Sequence, residues 1–144
     1  MTTIVYARGM MAADSSAWVG ETYAHKTRKL WRVGGGLVGM AGSLIAMEAF
    51  VRWIANGAHE EEYPRGNYDA IVVDPRGRVS LYEGGGPDPV VSRDPYVAIG
   101  SGMMVALGAL HAGADARGAV RAAIKHTGSS KPPVRYLQLR EVSK

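Results

Sequence analysis

The order in which hydrophobic periods change along the chain constrains the fold more than any other feature of the sequence. Short β-runs come first. Residues 1–15 read as two strands turning at Arg8-Gly9, because Ile4, Val5 and Tyr6 are β-formers and Gly9 gives a tight hairpin its backbone freedom. Residues 29–33 and 37–42 read as a second pair around the glycines 34–36. From Ser43 the period becomes helical, with Leu44, Met47, Val51 and Ile54 on one side and Glu48, Arg52 and Asn56 on the other. Ser43 is the expected N-cap and Gly57 the stop. "AHEEEYPRGN", 58–67, is a polar loop without hydrophobic periodicity. Strands return in "DAIVVDPRGRVSLYE", turning at Asp74-Pro75-Arg76-Gly77. "GGGPDPVVSRDP" is a loop with a short edge strand at most, since its prolines cannot donate into a central ladder. "YVAIGSGMMVALGALHAGAD" is a buried strand, a Gly-Ser-Gly turn and a helix of small residues. Asp115 caps a further helix through Ala119, Val120, Ala123 and Ile124 to Gly128, and "VRYLQLRE" supplies the last strand. Strands, helix, strands, helices, strand is not βαβ alternation, so a purely parallel doubly wound sheet is not the expected architecture. The expected class is α+β, with two antiparallel sheets packed together and helices on their outer faces.

A chain of 144 residues that is 47% hydrophobic fits one domain spanning 1–144. The absence of cysteine rules out a disulfide framework, a thiolate metal site and a thiol nucleophile, and agrees with a reducing compartment. The apolar start is short and lacks a basic leader, and no apolar run reaches the roughly 18 residues of a membrane span. A cytoplasmic protein without a membrane partner is expected. The net charge of +4 is scattered, with "HKTRKLWR", 25–32, as the dense basic cluster, so nucleic acid is not the expected partner.

Sites of the commoner kinds find little support. "GGGLVG" matches G-x-G-x-x-G through Gly34, Gly36 and Gly39, but a dinucleotide site needs the helix to start inside the motif, and here it starts near Ser43. A glycine hairpin is the favoured reading, with dinucleotide binding as its alternative. "GSG", 100–102, stands where a strand meets a helix, which suits either an anion site or a Ser101 cap. His25, His59, His111 and His126 share no metal-ligand spacing, and no G-x-S-x-G elbow is present. Neither cofactor nor metal is expected.

Thr2, Asp14 and Lys29 suggest a different chemistry when taken together. Removal of Met1 would leave Thr2 with both a hydroxyl and a free α-amine, so nucleophile and general base would share one residue. An α-amine with a pKa near 7.7–8 is mostly protonated at neutral pH. A lysine ammonium about 5 Å away would disfavour that proton by roughly 3 kcal/mol at an effective dielectric near 20. Asp14 would keep Lys29 charged and oriented.

At these residues the sequence resembles the proteasome β-subunit/HslV-like family of N-terminal nucleophile hydrolases. The resemblance rests on "TTIV" at the start, "AAD" ending at Asp14, "RKLWRV" containing Lys29, "VGMAGS" around Gly42 and "AIGSG" around Ser101, in order over nearly the whole chain. It implies a four-layer αββα sandwich. By position it makes Thr2 the nucleophile after loss of Met1, Asp14 and Lys29 the charged pair beside it, the Gly42 amide an oxyanion donor, and Ser101 a partner of the Thr2 amine. It further implies a threonine peptidase acting on peptides or unfolded proteins inside a homo-oligomeric ring, with an ATPase unfoldase as a partner. Two departures stand out. Ser129 occupies the position of a family acid, and 57–68 is too short for the family's second long helix, so the helical layer is shortened. The alternative is a ring or scaffold protein that keeps the fold without catalysis.

Overall fold

A computed structural model describes residues 2–19, 22–128 and 130–140. The opening hairpin joins β1 (Ile4–Ala7) to β2 (Met10–Ala13), with Arg8 and Gly9 at φ 50° and 80° in its turn. A second hairpin, β3 (Ser16–Val19) and β4 (Thr22–Lys26), forms a two-stranded sheet where the sequence reading assigns no strand. Next come β5 (Leu30–Val33), β6 (Gly36–Gly42) and α1 (Leu44–Ala55). A single 3-10 turn, Glu60–Glu62, precedes the meander β7 (Tyr68–Val73), β8 (Val79–Glu83) and β9 (Gly86–Ser92). The chain continues through β10 (Tyr96–Ile99), α2 (Met103–His111), α3 (Ala116–Thr127) and β11 (Arg135–Gln138).

Two larger antiparallel sheets carry the architecture, in the orders β10-β1-β2-β11 and β5-β6-β7-β8-β9. Because strand side chains alternate, each sheet buries both faces. Ile4, Tyr6 and Met11 from the first sheet meet Leu37, Ile71 and Val73 from the second in the inter-sheet core. On its other face the first sheet packs Val5, Ala7 and Ala12 under Ala106, Leu110, Ala116, Ala119 and Val120 of α2 and α3. The second packs Val38, Met40 and Ala70 under Met47, Phe50 and Trp53 of α1. The result is the four-layer αββα sandwich. The sheets close over Gly39, where a Cβ would lie 2.7 Å from Met11 Sδ and 2.8 Å from Ile4 Cγ2.

Three local expectations change. Helix α1 is capped by Ser43 as expected, but it buries Met47, Phe50 and Trp53 while Leu44 faces solvent, because two large rings bury more area than the aliphatic stripe. Residues 56–67 are held by Tyr63, whose ring stands edge-on to Trp53 at 4.8 Å and whose hydroxyl donates to the Glu83 carbonyl. Strand β9 runs for seven residues, its prolines tolerated because it lies at the sheet edge. No helix among the described residues is long and apolar enough to cross a membrane.

Candidate active site

Strand β1 lies inside its sheet, between β2 and β10, so the residues just before it are held from both sides. Thr2 sits two residues ahead of Ile4, at the open end of the inter-sheet gap, and is 5% exposed. Its backbone nitrogen donates to Ser101 Oγ at 3.2 Å, and its carbonyl accepts from the Gly102 amide at 3.3 Å. The turn at 100–102 presses so close that a Cβ on Gly100, at φ 94°, would fall on the Thr2 carbonyl oxygen. One on Gly102 would fall on Thr3 Oγ1. Glycine is therefore required at both positions by contact, and at Gly100 by backbone conformation as well.

Asp14 follows directly on β2 and gathers the surrounding segments. Oδ1 accepts from the Thr3 amide at 3.0 Å and from Lys29 Nζ at 2.9 Å. Oδ2 accepts from the Ser16 amide at 3.1 Å, the Ser16 hydroxyl at 2.5 Å and the Lys131 amide at 3.1 Å. A carboxylate so buried is tolerable only with donors of this number and a cation. Lys29 opens the segment into β5 and is 2% exposed, so the basic cluster 25–32 does not present one continuous charged face. Its ammonium donates to Thr2 Oγ1 at 2.9 Å as well as to Asp14, and reaches Ser16 Oγ at 3.4 Å. Burial lowers the Lys29 pKa from its ordinary value, and the Asp14 charge and hydrogen bond oppose that shift.

Gly42 ends β6 opposite Tyr68 at φ 125°, where a Cβ would strike the Asn67 carbonyl oxygen and Tyr68 Cα. It lines a cavity of about 410 Å³ together with Thr2, Asn67, Asp69, Gly100 and Ser101. The structure thus brings all five residues singled out from the sequence to one place: Thr2, Asp14, Lys29 and Ser101 in one hydrogen-bonded set, and Gly42 across the cavity. Ser129 lies outside the described residues. Its neighbour Ser130 is buried, with its hydroxyl 2.8 Å from Thr3 Oγ1. Ser16, Ser130 and Asp69 are additions that the sequence reading missed. For Ser16 a signal existed, since a Ser two residues after an Asp invites a local amide-to-carboxylate bond.

The glycine motif at 34–39 occupies the β5–β6 hairpin, and α1 begins only at Leu44 after a whole strand. No helix N-terminus meets that loop among the described residues.

A threonine hydroxyl held by a buried ammonium, itself locked to a carboxylate, is an arrangement suited to nucleophilic chemistry with the cavity as the place for an electrophile. No family model and no curated protein matches the sequence. Solved structures do. BPH from Thiobacillus denitrificans in complex with epoxomicin matches with a TM-score of 0.67 at 21% identity, over 96% of this chain and 98% of that one. HslV from Trypanosoma brucei matches with a TM-score of 0.67 at 22% identity, over 95% of this chain and 99% of that one. At that level of identity the likeness concerns architecture, and this chain has the HslV-like fold.

Proposed function

We propose that the protein is an N-terminal threonine hydrolase acting on peptide bonds. The observation that carries the reading is the position of Lys29 Nζ, 2.9 Å from Thr2 Oγ1 and 2.9 Å from Asp14 Oδ1. Removal of Met1 turns the Thr2 nitrogen into a free α-amine beside Ser101. The Lys29 ammonium, kept charged by Asp14, disfavours a second cation at that amine, which leaves it unprotonated and able to act as a base. The Thr2 hydroxyl attacks a peptide carbonyl in the cavity while the α-amine takes up the hydroxyl proton. The amine then passes that proton to the departing nitrogen, and an ester on Thr2 remains. Water, activated by the same amine, hydrolyses the ester and restores the hydroxyl. The Gly42 backbone faces the developing oxyanion, where one amide donor is worth about 10² to 10³ in rate.

Self-association belongs to the same reading, supported by Ile45 and Met104, which stand 83% and 71% exposed on the two opposite helical layers. One preparation tests both parts. Intact mass should show Met1 removed, light scattering should show a multiple of the chain mass, and epoxomicin, the molecule bound to the Thiobacillus BPH, should form an adduct that maps to Thr2. Thr2→Ala should abolish the adduct. A processed, assembled protein that neither forms the adduct nor cleaves varied peptides would instead be a scaffold.

A further inference from the structure

The wall of the Thr2 cavity contributed by the second sheet carries a charge that the proposed chemistry does not use. On β7 the residues facing the inter-sheet core are Ile71 and Val73. Asp69, two residues before Ile71, continues that face to the open end of the gap and lines the Thr2 cavity. Its cross-strand neighbour on β6 is Ala41, adjacent to Gly42. On β8, Asp69 stands directly opposite Glu83. Like charges in that position destabilise a sheet. Neither forms an ion pair among the described residues, and Arg65 donates instead to the Gly85 carbonyl. Asp69 also borders an adjoining cavity of about 410 Å³ that holds Glu83 and Asp88 among the apolar side chains of Leu81, Val90 and Ile99. Among the described residues, no lysine, arginine or histidine lines either cavity. Desolvation, and then Glu83, push the Asp69 carboxyl above its ordinary pKa, as an uncompensated carboxylate should be.

The adjoining cavity sets the apolar side chains of Leu81, Val90 and Ile99 beside the exposed carboxylates of Asp69 and Glu83, which suits a long side chain with an apolar stem and a cationic head. We propose that Asp69, with Glu83 behind it, is the specificity-determining residue of this site, selecting peptides with a lysine or arginine side chain beside the bond presented to Thr2. The inference rests on the peptidase reading for its chemistry, but the recognition can be measured without turnover.

Two peptides identical except for lysine or norleucine at one position are titrated against the full-length Thr2→Ala protein. The lysine peptide is expected to bind about 3- to 10-fold more tightly, the range for a carboxylate and an ammonium that remain partly solvated. The ratio should shrink toward one in 1 M salt, where the screening length falls to about 3 Å. Asp69→Asn should bring the ratio near one, and Asp69→Lys should reverse it toward a glutamate peptide. Since Asp69→Asn relieves a like-charge pair, its melting temperature should not fall, and Glu83→Gln gives an independent reduction of the ratio. Equal binding of the two peptides, no binding of either, or a lysine preference that survives both substitutions overturns the proposal. A lysine preference in the Thr2→Ala protein beside an unreactive Thr2 in the parent would sink the peptidase reading alone.

Discussion

Lys29 is the residue whose ionisation couples the site to the stability of the chain. Burial holds its pKa below the ordinary 10.5, so between the folded value and that of the unfolded chain the unfolded state binds more protons. Stability therefore rises with pH across that window, and below it the full cost of burying the charged amine is present. Urea unfolding of the parent and of Lys29→Met at neutral pH and near pH 10 should show the parent gaining on the variant as pH rises. A constant difference would mean that Lys29 titrates alike in both states. Thr2, Asp14 and Lys29 were legible together because all three lie within the first 29 residues and their chemistry is complementary. Ser130 and Asp69 were not legible, because contacts such as Thr3 with Ser130, 127 residues apart, leave no trace in local spacing.

At the scale of elements, the 56–67 connection shows where sequence periodicity stops being informative. A single tyrosine gives no period, yet Tyr63 joins a ring cluster with Phe50, Trp53 and Tyr82 and fastens the connection to the β8 end. Tyr63→Ala should cost about 3 kcal/mol, near the lower bound for removing a buried aromatic, and should hasten protease cleavage within 56–67. Limited proteolysis beside urea unfolding checks both. The same cluster explains why α1 is rotated from its expected face, since Phe50 and Trp53 decide what the helix buries. The β3–β4 hairpin has no strand assigned from sequence because each of its runs is only four or five residues long, and its pairing becomes visible only in the register of the two strands.

At the scale of the whole molecule, strand order was readable because the alternation of periods along the chain admits few topologies, and the two antiparallel sheets follow from it. Their separation was not readable, because it is set by which side chains meet across the gap. Gly39 marks the closest approach, and Gly39→Ala should cost about 1 to 3 kcal/mol by forcing Met11 and Ile4 aside. Ile4 is two residues from Thr2, so adduct formation should slow in this variant more than in one that is equally destabilised under α3, such as Val120→Ala. Equal slowing would place the loss in global stability. Thr2 stands at the mouth of the sandwich, with its nitrogen turned to Ser101 and the cavity directly beside it. On the proposed chemistry, a purification tag fused upstream would both crowd that cavity and keep the Thr2 nitrogen locked in an amide, so a tag on the other end is the one compatible with the adduct experiment.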